Sequence, residues 1–152
     1  MLFDIPSPDK MCEFGRRLGA ALFPGAVVAL VGSLGAGKTF LVRAIAEGLG
    51  IADARVVCSP TFTLVHEYPA RLTIYHFDVY RLKSPVEFAE LGSAEYFDAE
   101  GVCLVEWADK VASLLPVDRL QIEIEVTGEQ SRRLNVVATG PVHAAIIQRL
   151  AG

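Results

Sequence analysis

The sequence predicts an α/β protein with three layers, in which helices cover both faces of a mixed, partly antiparallel central sheet. Three observations predict this class. A glycine-rich turn at residues 32–39 joins an apolar segment to a stretch with helical spacing, which is the order strand, loop, helix. Strand-like and helix-like segments then continue to alternate. Two pairs of strand-like segments have connections of only a few residues, and such connections form antiparallel hairpins.

The first elements lead to the glycine-rich turn. Ser7 precedes a proline and an acidic residue, as at a capped helix start, and the helical stripe that follows ends before Pro24. We expect this helix to pack on the sheet. Residues 26–31 are apolar and rich in β-branched side chains, as in a buried parallel strand. Residues 41–49 carry leucine and isoleucine at helical spacing and form the helix after the turn.

The middle of the chain predicts a hairpin, two short helices and a strand. Residues 64–68 and 72–77 are strand-like and form the hairpin. Ser84 starts a capped helix that breaks near Gly92. Residues 101–107 form an apolar strand that ends in an acidic residue and a tryptophan.

The last part of the chain predicts a short helix, a second hairpin and a final helix. Residues 108–115 form the short helix. Residues 120–126 alternate strictly between apolar and polar side chains, and residues 134–138 supply the second arm of the hairpin. The final helix starts at Pro141.

Composition limits the classes of function. A chain of 152 residues with 52% hydrophobic content predicts a single domain over residues 1–152. Its net charge of −4 provides no basic field for DNA, so any RNA is expected to be held by a partner. No membrane segment is predicted, and the widely spaced Cys12, Cys58 and Cys103 are expected to be reduced, buried thiols of a cytoplasmic protein.

The glycine-rich turn fits the phosphate-loop pattern G-x-x-x-x-G-K-[ST]. Its glycines allow backbone N–H groups to turn toward phosphate oxygens at the positive end of the next helix. Lys38 adds a charge for the β- and γ-phosphates, and the Thr39 hydroxyl is placed to bind Mg²⁺. The pattern predicts a P-loop NTPase-type domain. The loop residues expected to bind nucleotide are Ser33, Leu34, Gly35, Ala36, Gly37, Lys38 and Thr39.

Two acidic residues end apolar strands downstream of the loop. Asp78 and Glu106 are therefore candidates for holding magnesium or water at the carboxyl edge of the sheet. His76 is interpreted as a structural residue, because phosphoryl transfer needs no histidine. Trp107 either stacks at the site or fills a gap beside it. No Cys or His has the spacing of a zinc site.

Residues 32–39, 59–65, 76–82 and 104–107 together resemble the TsaE (formerly YjeE) family in order and spacing. The resemblance implies a weak Mg²⁺-dependent ATPase, active mainly within a partner complex. It also implies that the partners are TsaB and TsaD, which attach threonylcarbamoyl to adenosine 37 of tRNA. Contact with tRNA is expected only through that complex.

The resemblance also implies roles for individual residues. Lys38 would hold the phosphates, Thr39 and Glu106 the magnesium ion, and Asp78 the network around metal and nucleotide. Thr61 would belong to a switch-like loop that senses the γ-phosphate, with residues 59–60 as its rigid beginning. The candidate catalytic residues are thus Lys38, Asp78, Glu106 and Thr61.

Three further positions bear on the resemblance. The family commonly has an acidic residue where this chain has Ser33, and a second hydroxyl residue where it has Phe40. A family arginine near the last hairpin approaches the nucleotide, and of the adjacent Arg132 and Arg133 we favour Arg132.

Three other functions fit a phosphate loop. A small P-loop kinase needs an acceptor pocket, for which the chain offers a hydroxyl-rich loop at residues 59–63. A GTPase switch needs a guanine-reading Asn-Lys-x-Asp motif, which the sequence lacks. A nucleotide-gated regulatory module needs binding with little turnover and shares every motif with the ATPase.

Overall fold

The structure is a computed structural model that describes residues 1–60 and 64–152. Within these ranges, seven strands form one mixed sheet in the order β1-β7-β6-β2-β5-β4-β3. The strands are β1 (Leu2–Ile5), β2 (Val27–Gly32), β3 (Val65–Tyr68), β4 (Ile74–Asp78), β5 (Val102–Glu106), β6 (Leu120–Val126) and β7 (Arg132–Ala138). The α-helices described are α1 (Pro8–Ala21), α2 (Lys38–Gly48), α3 (Pro85–Glu90), α4 (Ser93–Asp98) and α5 (Pro141–Ala151).

The sheet combines a parallel centre with antiparallel margins. Strands β4, β5, β2 and β6 run parallel in that order, whereas β3 pairs antiparallel with β4 and β7 pairs antiparallel with both β6 and β1. Both hairpins predicted from the sequence are confirmed. The parallel centre brings the carboxyl ends of β2, β4 and β5 to one edge, which is where ligands of such sheets bind.

Helices pack on both faces of the sheet, so the three predicted layers are confirmed. Side chains of α1, α2 and α5 form one apolar core with the face that carries Leu30 and Leu104. Side chains of α3, α4 and residues 108–114 form a second core with the face that carries Ala29 and Val105. Consecutive strand residues thus point into opposite cores, as the alternation of a pleated strand requires.

Helix α1 packs closely against α2. The N-cap of α1 is Ser7, as predicted, and its hydroxyl accepts the Lys10 N–H at 3.3 Å. A Cβ atom on Gly19 would lie 2.2 Å from the carbonyl oxygen of Ile45, so the two helices touch backbone to backbone. Helix α1 was predicted to pack on the sheet, and its apolar side chains do share one core with the sheet. Its principal neighbour, however, is α2.

Two elements differ from the sequence prediction. Strand β1 was not predicted, because its four residues show no pattern of their own and pair with β7 from the far end of the chain. The predicted short helix after β5 is a 3-10 helix over Ala108–Leu114, preceded by Trp107 in the left-handed region at φ 60°. Among the described helices, none combines the length and apolar character needed to cross a membrane.

The three thiols have different environments, so the prediction that all are buried is wrong. Cys103 is buried in β5, Cys12 is half-buried and Cys58 is exposed. Cys58 follows a short 3-10 turn, Ala54–Val56, and its neighbour Val57 takes the buried position in this segment. Burial raises the pKa of the Cys103 thiol to about 12.

We expect iodoacetamide at pH 8 to alkylate Cys103 more than about 100-fold more slowly than Cys58, because little thiolate forms at a buried thiol. Peptide mass spectrometry at timed intervals measures both rates. The denatured chain is the control, in which the two thiols should react alike. Equal rates in the folded chain would contradict the burial of Cys103.

Candidate nucleotide site

The loop between β2 and α2 has the backbone that a phosphate loop needs. Gly35 and Gly37 lie at φ +80° and +106°, a region in which residues with a side chain are strained. Gly37 is the N-cap of α2, and no side chain caps the helix there. The first N–H groups of α2 have no partner inside the helix, and they carry the positive end of its dipole. This end of α2 is therefore suited to an anion.

Lys38 is folded against the loop and the end of β5. Its Nζ donates to the carbonyl oxygens of Gly32 and Ser33 at 2.7 and 2.8 Å, and it lies 3.9 Å from the centre of the Trp107 ring. Burial lowers the pKa of Lys38 below its ordinary value, and the carboxylates of Glu106 and Asp78 oppose this shift. A phosphate placed on the loop would supply the negative charge that a buried ammonium favours.

Glu106 meets the loop through Thr39. The Thr39 hydroxyl lies 2.8 Å from Oε1 and 2.9 Å from Oε2 of Glu106, and the glutamate is only 2% exposed. Register explains the contact: Leu30 of β2 pairs with Glu106, so the end of β5 lies beside the start of the loop. Hydroxyl and carboxylate thus form a set of oxygen donors at the N-terminus of α2, the donor type that Mg²⁺ prefers.

Asp78 lies beside Glu106 and holds the next loop. The two residues are register partners in parallel strands and face the same side of the sheet. The Asp78 carboxylate accepts the Tyr80 N–H at 2.9 Å and a short hydrogen bond from the Ser59 hydroxyl. It therefore connects the sheet edge to the beginning of the predicted switch-like loop. The predicted site residue Thr61 lies outside the described residues.

His76 belongs to this cluster, although the sequence interpretation set it aside. It is fully buried, and its Nε2 lies 2.5 Å from Oε2 of Glu106. The signal that could have found it is the alternation of β4, since His76 is two residues before Asp78 and shares its face. The contact with Glu106 depends on the pairing of β4 with β5, which the sequence pattern does not specify.

Of the two candidate arginines, the structure brings Arg132 to the loop. Its Nε donates to the carbonyl oxygen of Ala36 at 2.9 Å. Arg133 points to the other face of β7 and donates to Asp4 at 3.0 Å. Arg132 also borders an open, mainly apolar cavity of about 190 Å³ beside the loop, lined in part by Ile5, Met11 and Phe40.

Two further loop residues lie at the surface, whereas Ala36 is buried. Leu34 is 77% exposed at the tip of the loop, and Ser33 is also exposed, with its carbonyl turned toward Lys38. The structure thus brings most of the predicted site residues together at one edge of the sheet. They are Ser33, Leu34, Gly35, Ala36, Gly37, Lys38, Thr39, Asp78, Glu106 and Arg132.

Comparison with known proteins assigns the chain to a protein family. The family model described as threonylcarbamoyl adenosine biosynthesis protein TsaE matches residues 5–134. The chain belongs to the TsaE family. A TsaE protein from Bacillus subtilis is 42% identical over 145 residues, which cover 95% of this chain and 89% of the relative. A TsaE protein from Treponema pallidum is 42% identical over 130 residues, covering 86% and 95% of the two chains.

The fold agrees with that of a solved structure. A crystal structure of YdiB from Bacillus subtilis aligns with a TM-score of 0.86 and 37% sequence identity, over 99% of this chain and 93% of that one. Membership of TsaE confirms the resemblance stated from the sequence motifs. Ser33 and Phe40, the two positions at which a departure from the family pattern is expected, are both exposed.

Proposed function

We propose that this chain binds ATP with Mg²⁺ and hydrolyses it slowly to support N6-threonylcarbamoyladenosine modification of tRNA adenosine 37. In this proposal it acts with TsaB and TsaD and meets tRNA only through them. The observation that carries the proposal is the contact of Thr39 with Glu106 at the phosphate loop. Membership of TsaE, a family named for threonylcarbamoyl adenosine biosynthesis, supports the pathway.

The loop residues fit a triphosphate. The uncapped start of α2 and the conformations of Gly35 and Gly37 supply backbone donors without a competing side chain. Lys38 would exchange its carbonyl contacts for phosphate oxygens, since both are acceptors for the same ammonium group. The apolar cavity beside Ala36 would receive the base of the nucleotide. Arg132, which lies between this cavity and the loop, would position the part of the nucleotide that joins the base to the phosphates.

The donor set also fits magnesium, provided that phosphate completes it. Thr39 and Glu106 offer hard oxygen ligands, and Asp78 lies close enough to bind a water of the ion. The described residues contain no group of three or more His, Cys, Asp or Glu side chains able to hold a metal alone. A magnesium ion bound here would therefore depend on nucleotide, as in sites that use one or two carboxylates and phosphate oxygens.

The protein's part in hydrolysis would be positioning. A bound magnesium ion would neutralise negative charge on the phosphates. Lys38 would hold phosphate oxygens from the loop side. Glu106 and Asp78 would orient water at the sheet edge, and their burial strengthens these interactions relative to bulk water. Slow turnover follows if the water is well placed only when the partners close the site, as the resemblance to TsaE implies.

A nucleotide-dependent pull-down tests the partnership. The immobilised chain is incubated with TsaB, TsaD and tRNA in the presence of a non-hydrolysable ATP analogue, ADP or no nucleotide. We expect the analogue to increase capture of both proteins at least about tenfold over ADP, a difference of about 1.4 kcal/mol. Lys10→Ala on the exposed face of α1 is the control and should behave as the unmodified chain. Equal or absent capture in all three states would contradict the proposed partnership.

A further inference from the structure

A buried histidine contacts the candidate metal-binding glutamate in addition to Thr39. His76 of β4 is fully buried, and Glu106 of β5 is 2% exposed. Thr39 approaches the carboxylate from α2, whereas His76 approaches it from the neighbouring strand, with 2.5 Å between Nε2 and Oε2. The carboxylate is thus held by one residue of α2 and one residue of β4.

The chemistry of the contact determines which ring nitrogen carries the proton. A carboxylate oxygen is a hydrogen-bond acceptor, so in this contact Nε2 of His76 takes the role of donor. Nδ1 of the same ring is buried and has no hydrogen-bond partner within the described part of the chain. One ring nitrogen of His76 contacts Glu106 and the other has no partner among the described residues, so the contact with Glu106 is the polar interaction that the ring makes there.

Packing alone does not account for a histidine at this position. The neighbours of His76 along the same face of the strand pair include the apolar residues Ile74 and Leu104, and Tyr68 lies against the ring with 6.2 Å between centroids. An unpartnered buried nitrogen opposes folding, so an apolar side chain would suit these surroundings better. The polar contact that offsets this cost is the one to Glu106.

We infer that His76 is a positioning residue that fixes the Glu106 carboxylate for magnesium and water by donating its Nε2–H to Oε2. The inference rests on the proposed function. Without this donor, Glu106 would keep the Thr39 contact but would be free to rotate its carboxylate away from the sheet edge. Partners that orient a metal ligand in this way typically change metal affinity or activity about 10- to 100-fold when they are removed.

Two substitutions separate the hydrogen bond from the packing. His76→Leu keeps an apolar side chain and removes the donor, whereas His76→Gln keeps a terminal N–H within reach of Glu106. We expect His76→Leu to lower kcat for ATP hydrolysis about 10- to 100-fold with a KM for ATP within about twofold of the unmodified chain. His76→Gln should recover most of kcat. The matched control is His66→Leu, which changes the register partner of His76 on β3, a histidine whose hydrogen bond is to Tyr68.

Mn²⁺ binding gives a readout besides hydrolysis. Titration of Mn²⁺ into the ADP complex, followed by electron paramagnetic resonance, should show about tenfold or weaker affinity in His76→Leu and near-normal affinity in His76→Gln. The melting temperature measures packing separately. Wild-type kcat and Mn²⁺ affinity in a folded His76→Leu would overturn the inference. So would equal losses in both variants that follow their melting temperatures.

The ring itself can be observed in the unmodified chain, whether or not the leucine variant folds. Long-range ¹⁵N–¹H correlation spectra of labelled imidazole rings should show His76 protonated at Nε2. A proton on Nδ1 alone would overturn the inference, because Nε2 could not then donate to Glu106. Absence of ATP hydrolysis by the unmodified chain, alone and with TsaB and TsaD, would overturn the proposed function instead. The ring spectrum would still report the contact.

Discussion

Replacing Lys38 by alanine should weaken ATP binding by about 100-fold. Lys38 is 5% exposed, and its ammonium group lies between the Gly32 and Ser33 carbonyls and the Trp107 ring, where a bound phosphate would meet it. Truncating one partner of a buried charge pair costs about 2–5 kcal/mol, and each 1.4 kcal/mol is a factor of about ten in affinity. Isothermal titration calorimetry with Mg²⁺-ATP measures the change.

The control for this substitution is Lys10→Ala, which removes a lysine that pairs with Glu13 on the surface of α1. Its ATP affinity should equal that of the unmodified chain. GTP titrated into the unmodified chain should bind more weakly than ATP, because the sequence has no guanine-reading motif. Unchanged ATP affinity in Lys38→Ala, or a strong preference for GTP, would show that the loop is not an ATP site.

Replacing Glu106 by glutamine should preserve measurable ATP binding and lower hydrolysis by at least about 100-fold. The carboxylate is buried and held by Thr39, so its expected effect is on magnesium and water at the reacting phosphate. Losing one preorganised electrostatic group typically costs about 10²–10³ in kcat. Steady-state phosphate release and equilibrium binding, measured on the same preparation, separate the two effects.

The matched control is Glu90→Gln, which changes an exposed glutamate at the end of α3. It should hydrolyse ATP at the unmodified rate. Hydrolysis at the unmodified rate by Glu106→Gln would contradict the proposed role of Glu106 in hydrolysis. The proposed magnesium site would then depend on Thr39 and Asp78.

The parts of the candidate site that depend on local sequence could be predicted from it. Residues 32–39 are a continuous stretch whose glycines, lysine and threonine match the phosphate-loop pattern, and the loop conformation at Gly35 and Gly37 follows from those residues. Asp78 and Glu106 could be identified because each ends an apolar strand, and parallel strands bring such ends to one edge.

The parts that depend on pairing between distant segments were not predictable in the same way. His76 meets Glu106 because β4 pairs with β5. Strand β1 is formed by its pairing with β7, from the far end of the chain. Adjacent strand residues point in opposite directions, so only one of Arg132 and Arg133 can lie on the face of β7 nearer the loop. The contacts of the two side chains show that this residue is Arg132.

Multiple-turnover modification of tRNA tests the central proposal most directly. Purified TsaB and TsaD are mixed with tRNA, ATP and the threonylcarbamoyl donor, and threonylcarbamoyladenosine formed per complex is measured with and without this chain. We predict many modified tRNAs per complex with the unmodified chain, and no more than about one with Glu106→Gln, because a nucleotide that is not cleaved cannot reset the complex. Repeated turnover without the chain, or equal turnover with Glu106→Gln, would contradict an ATP-driven role in this modification.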